Sequence, residues 1–187
     1  MKVLFVNACP RPNSRTLELA RHALGFVEGE VEEICIFDED IEPLNNESLN
    51  LRDELIRDKN FEHPMLRYAR QFAAADVIVI AAPYWDLMFP AKLRAYLESV
   101  TVTGLSFYYN EQGVPTSLCR AKQLVYITTA GGPIFANFGF DYVKTLASGL
   151  FGISDVRCIK AEGLDIWGAD VSAIMEKAKQ EAENIMA

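Results

Sequence analysis

The chain has 187 residues, about the length of one domain and enough to bury its own core. Half of the residues are hydrophobic and 24% are charged, the balance of a globular protein and not of a disordered one. Acids outnumber bases 26 to 18, and the net charge of −8 argues against nucleic acid or an anionic membrane surface as a partner, and at first sight against anionic small ligands.

Residues 2–8 form a near-continuous apolar run, which predicts a strand buried on both faces, the mark of a parallel sheet. Asn13 or Ser14 can cap the helix that follows, in which Leu17, Leu19, Ala20, Ala23, Leu24 and Val27 recur at near-helical spacing. A second strand is expected at 31–37, then a charged surface loop over 38–62 with a short helix near 48–58. Pro64 opens a helix to about Ala75. The clearest strand is 77–82, β-branched and wholly apolar, ending at Pro83. A helix over 90–100 follows, with Leu93, Tyr96, Leu97 and Val100 on one face. Segment 104–118 reads as an irregular excursion. A strand at 123–129, a helix over about 139–151, a strand at 155–161 and a last helix from about 169 complete the chain. Strands and helices thus alternate about five times, which predicts a single doubly wound α/β domain over 1–187.

The four cysteines contain no C-x-x-C pair and fit no zinc or iron–sulfur spacing. No apolar run has the length of a membrane span and the N-terminus does not read as a signal peptide, so a cytoplasmic location with reduced thiols is the default expectation. His22 and His63 are too few for a histidine-based triad or metal site.

In doubly wound sheets ligands bind beyond the carboxyl ends of the strands, where the strand order reverses. The loop after the first strand, 9–16, offers the hydroxyls of Ser14 and Thr16, the charges of Arg11 and Arg15, and a helix N-terminus, which together make a phosphate site; an ordinary capped helix explains them equally well. Cys9, Arg15 and Thr16 also match the C-x5-R-T pattern of low-molecular-weight tyrosine phosphatases. That likeness is local: Pro10 and Pro12 lack the N–H groups such a loop aims at phosphate, and the chain has no Asp-Pro dipeptide to serve as the general acid.

The loop after the third strand reads APYWDLMFPAKLRAYLE over 82–98, and the loop after the fourth reads TTAGGPI over 128–134. With Ser14-Arg15-Thr16, these segments resemble the flavodoxin-like NAD(P)H:quinone oxidoreductases and FMN-dependent NADH-azoreductases, in the right order and over nearly the whole chain. The resemblance implies a five-stranded parallel sheet of order 2-1-3-4-5. It also implies FMN as cofactor, NADH or NADPH as co-substrate, a quinone, azo or nitroaromatic acceptor, and a homodimer. FMN would be held by Cys9, Arg11, Ser14, Arg15, Thr16, Pro83, Tyr84, Trp85, Asp86, Leu87, Thr129, Ala130, Gly131 and Gly132. Tyr84 and Trp85 offer flat apolar surfaces to the isoalloxazine ring, or else fill core, and backbone at 85–87 would serve its polar edge. Two positions depart from the family. Where relatives commonly carry Tyr-Asn this chain has Trp85-Asp86, whose carboxylate either accepts from flavin N3–H or sits in solvent, and Ala130 stands where an arginine is common. The adjacent glycines allow close backbone approach, or a turn needing positive φ. No side chain need be an acid or base, because the chemistry belongs to the cofactor. A noncatalytic flavodoxin-type electron carrier is the alternative, and segment 104–118, with Phe107, Tyr108 and Tyr109, is a candidate lid or interface.

The acidity itself is local. Residues 28–62 hold 13 acids and 3 bases, while the first 27 residues carry Lys2, Arg11, Arg15 and Arg21 against Glu18 alone. The overall charge therefore does not oppose an anion at the first loop.

Overall fold

The structure, a computed structural model, describes residues 1–186. Its elements are β1 (Lys2–Asn7), α1 (Arg15–Leu24), β2 (Glu30–Cys35), α2 (Asn46–Arg57), α3 (Arg67–Ala74), β3 (Val77–Ala81), α4 (Ala91–Val100), β4 (Phe107–Tyr109), β5 (Pro115–Ser117), β6 (Gln123–Thr129), α5 (Phe138–Gly149), β7 (Asp155–Ala161) and α6 (Val171–Met186). Pro64 opens a short 3₁₀ turn, Pro64–Leu66, that runs into α3.

The main sheet is parallel, with order β2-β1-β3-β6-β7. The excursion at 104–118 contributes two strands the sequence reading left irregular, so the expected 2-1-3-4-5 becomes 2-1-3-6-7 in chain numbering. Burial follows position. β3 is buried throughout and β1 and β6 nearly so, whereas edge strand β2 exposes Glu30, Glu32 and Glu33, charges that protect an edge from further pairing.

Alternation along the central strands supplies two cores. Leu4, Val6, Ile78 and Ile80 face Phe72, Leu93, Tyr96 and Val143 under α3, α4 and α5. Val3, Phe5, Val77 and Val79 face Leu19, Ala23, Met175 and Ala182 of α1 and α6. These helices also pair through Lys179 and Glu18 at 2.8 Å and through His22 and Glu183 at 3.2 Å. α2 lies outside both cores and is fixed by a capping box, in which Asn45 Oδ1 accepts from Ser48 N–H and Ser48 Oγ accepts from Asn45 N–H, both at 2.9 Å.

The β4–β5 hairpin joins the end of α4 to the start of β6, at the amino-terminal edge of the sheet. Its neighbours are there too: Ser117 Oγ donates to the Phe151 carbonyl and Arg120 N–H to that of Ala73. Within one chain the segment does not cover the opposite edge, where the ligand loops emerge. It stays available as an interface, with Tyr109 and Val114 exposed.

Candidate functional site

The chain leaves β1 for β2 on one side and returns to β3 on the other, so the loops after β1 and β3 diverge and open a crevice at the carboxyl edge. A cleft of about 350 Å³ lies there, lined by Pro10, Arg11, residues 13–16, residues 83–85, Thr129, Gly131 and Asp165. Nothing from the acidic segment 28–62 reaches it.

The first loop is built around the N-terminus of α1. Ser14, extended at φ −70° and ψ 128°, is the cap, its Oγ accepting from Leu17 N–H at 3.4 Å. Among the described residues no acceptor faces the N–H groups of Arg15 and Thr16, so two donors and the positive end of the helix point into the cleft. Thr16 is buried, and its Oγ1 lies 2.7 Å from Thr129 Oγ1, which ties this loop to the end of β6. Arg11 is exposed and, among the described residues, has no ion pair. Arg15 is engaged: Nη1 donates to the Leu164 carbonyl at 3.0 Å and Nη2 to Asp165 Oδ1 at 2.7 Å.

Cys9 lies beneath the cleft and does not line it. It is 4% exposed, and its Sγ donates to the Ala81 carbonyl at 3.7 Å. Burial pushes its thiol up to about 11, so the group is protonated at neutral pH. A phosphatase nucleophile has the opposite shift. At pH 8 only on the order of one thiol in a thousand at such a site is thiolate, so iodoacetamide should label Cys9 quickly after unfolding and very slowly in the native protein. Peptide mass mapping reads the ratio; rapid native labelling at pH 7 would contradict this account.

The second loop continues the sheet ladder before it turns. Ala82 N–H donates to the Ile127 carbonyl and Tyr84 N–H to that of Thr129 at 3.0 Å, while Tyr84 Oη reaches the Ala136 carbonyl at 2.9 Å. Trp85 and Met88 then exchange backbone hydrogen bonds of 2.9 and 2.8 Å around Asp86 and Leu87. Both central residues are left-handed, at φ 50° and 68°, the pattern of a type I′ turn. Asp tolerates that region; for Leu it costs about 1 kcal/mol or more. Of the segment's aromatics, Tyr84 and Trp85 line the cleft, whereas Phe89 is buried core against Tyr142. Asp86 and Leu87 project into solvent beside the cleft.

The third loop corrects one expectation. Neither Gly131 nor Gly132 has positive φ. Gly131 is crowded instead: a Cβ there would lie 2.2 Å from Asp165 Oδ2, so the carboxylate would have to turn away from its present place. Gly132 and Ala130 do not line the cleft.

Asp165 belongs to a fourth segment, the loop after β7, which the sequence reading did not consider. Leu164 N–H donates to the Ala130 carbonyl at 3.2 Å, Asp165 N–H to that of Gly131 at 2.8 Å and Gly163 N–H to that of Gly132 at 3.0 Å. The signal was the run EGLDIWG at a strand's carboxyl end, where the same rule that selected the other loops applies. Asn13 and Pro10 were also missed, though they sit inside the first loop.

A five-stranded parallel sheet with helices on both faces, and a helix N-terminus opposite aromatic side chains at the switch point, defines a doubly wound α/β protein with a crevice at the carboxyl edge of its sheet. The chain belongs to the flavodoxin-like family: the model described as "Flavodoxin-like fold" matches residues 1–186. An FMN-dependent NADH:quinone oxidoreductase of Coprothermobacter proteolyticus is 38% identical, with 98% of this chain and 97% of that protein aligned. A protein of the same name from Clostridium beijerinckii is 37% identical over 98% of each. Among solved structures, an azoreductase from Bacillus anthracis superposes with a TM-score of 0.87 at 22% identity, covering 100% of this chain and 98% of that one. A FMN-dependent NADH-azoreductase from the same species, in complex with FMN, superposes at 0.84 and 20% identity, covering 100% and 98%.

Proposed function

We propose that this protein is an FMN-dependent NAD(P)H oxidoreductase that reduces quinones and azo compounds. The observation that carries the reading is the meeting, in one cleft, of two unpartnered amide N–H groups at a helix N-terminus with the side chains of Tyr84 and Trp85. One end suits a phosphate and the other a flat apolar ring, the two halves of FMN. The relatives' names supply the donor and acceptor classes.

The Arg15 and Thr16 amides, Ser14 Oγ and the Arg11 guanidinium bind the phosphate. Tyr84 and Trp85 lie against the ring. Backbone at Trp85, Asp86 and Leu87 serves its polar edge, with the Asp86 carboxylate beside it, and the rigid turn holds that backbone in one geometry. Pro83, Thr129 and Gly131 shape the space on the other side, Ala130 and Gly132 continue that loop without lining the cleft, and Cys9 supports the first loop from below. Bound FMN supplies hydride acceptance from NAD(P)H and two-electron donation to the acceptor. The ionisable side chains that line the cleft are Arg11, Arg15, Asp165 and Tyr84; Arg15 and Asp165 are paired to each other and the Tyr84 hydroxyl donates to the Ala136 carbonyl, so the protein binds and orients and no side chain need act as acid or base. Nicotinamide and acceptor use the same space in turn, a ping-pong order.

The protein acts as a cytoplasmic homodimer: four unpaired cysteines suit a reducing compartment, and Phe135, Phe138 and Trp167 stand exposed on loops and a helix start at the cleft edge, where a partner would cover them. Among the described residues no helix is long and apolar enough to cross a membrane.

Flavin fluorescence should be quenched on mixing FMN with the protein, and the loaded protein should oxidise NADH or NADPH steadily with a quinone. A flavin signal that never changes would overturn the reading. Binding without quinone-dependent turnover would leave the electron carrier.

A further inference from the structure

We infer that the Arg15 side chain is not an anion ligand but a positioning residue, which acts through Asp165 to hold the fourth wall of the cleft in place. The inference deepens the proposed function and rests on it for the identity of the ligand. Two of the guanidinium's five N–H donors are held in the wall, by the Leu164 carbonyl at 3.0 Å and by Asp165 Oδ1 at 2.7 Å. Its charge is already matched by a carboxylate. The same two residues hang by their N–H groups from the carbonyls of Ala130 and Gly131, so Arg15 completes a bracket joining the loops after β1, β6 and β7. Gly131 fits that role, because any Cβ there would strike the Asp165 carboxylate. Arg11, exposed and lining the same cleft, is the cation left for a phosphate. The competing arrangement has Asp165 holding Arg15 only until a phosphate displaces it.

The two arrangements predict opposite signs for one substitution. If Arg15 is a strut, Asp165→Asn loosens the wall and weakens FMN binding, by about tenfold for a lost charge-assisted contact. If Asp165 merely competes with phosphate, the same change frees Arg15 and tightens binding. Fluorescence titration with FMN reads the sign. Arg15→Met and the Arg15→Met/Asp165→Asn double variant complete a cycle, in which a strut gives a double variant no weaker than either single one. Exchanging the charges, Arg15→Asp with Asp165→Arg, should restore part of the affinity, and urea midpoints close to wild type exclude a general loss of fold. Tighter binding by Asp165→Asn, or additive losses in the cycle, would overturn the inference. A wild-type protein that binds no FMN would overturn the proposed function alone. The strut would then be tested by amide exchange at Leu164 and Asp165 in the ligand-free protein, which Arg15→Met must accelerate; unchanged exchange would overturn it.

Discussion

Replacing Ser14 by Asp should cut affinity for FMN by about a hundredfold, equivalent to about 2.7 kcal/mol, and leave the fold intact. Ser14 has two roles that this change separates. As the cap of α1 it accepts from Leu17 N–H, a task at which Asp is as good as Ser. As a wall of the cleft it stands beside the free amides of Arg15 and Thr16, where a phosphate dianion would meet the new carboxylate. Like charges brought together in a binding site cost several kcal/mol, more than enough for the predicted loss. Calorimetric titration gives the affinity, urea unfolding the stability. Riboflavin, which lacks the phosphate, should bind the variant as it binds wild type, and added salt should narrow the gap for FMN. Equal FMN affinity in the two proteins would mean that the phosphate lies elsewhere.

Much of this architecture was legible because the central strands are buried on both faces. Val77–Ala81 has no polar residue to confuse the period, and its strand assignment follows from that alone. Edge strand β2 was harder to bound, since its Glu-rich exposed face resembles the acidic loop after it. The hairpin was missed for a different reason. Its strands are three residues each, with Pro115 in one of them, below the length at which alternation becomes a signal. Its position was not legible either, because a sequence does not say at which edge of the sheet an excursion emerges until the strand directions are known.

The cleft divided along similar lines. The first loop obeys local rules of capping and helix polarity, which act within a few residues. The Arg15–Asp165 pair joins residues 150 apart in sequence, and no local rule reaches across that distance. It also reversed the meaning of Gly131, whose missing side chain answers to Asp165 and not to its own φ. The Trp85–Met88 turn was hidden because Asp-Leu is not a sequence that favours two left-handed residues. Such strain persists only where surrounding structure imposes it, here the ladder from β3 into Tyr84 and the helix that starts after Pro90.

Phe72→Ala should destabilise the protein by about 3–5 kcal/mol. Phe72 is fully buried on the inner face of α3 and tilts against Phe151 with ring centroids 4.8 Å apart, so truncation removes a large contact surface and leaves a cavity. Domains have about 5–15 kcal/mol of stability in total, so this one change brings the chain close to its limit. Ligand binding offsets part of the loss: FMN at a hundred times its dissociation constant adds about 2.7 kcal/mol to any protein that binds it only when folded. Phe72 lies in the core under α3, α4 and α5, while the capped end of α1 belongs to the opposite face of the sheet. Substitution and ligand should therefore act independently, and FMN should raise the urea midpoint by the same free energy in wild type and variant. A smaller increment in Phe72→Ala would mean that the core strains β3 as it enters the Tyr84–Trp85 loop, and that the two faces of the sheet are coupled through that strand.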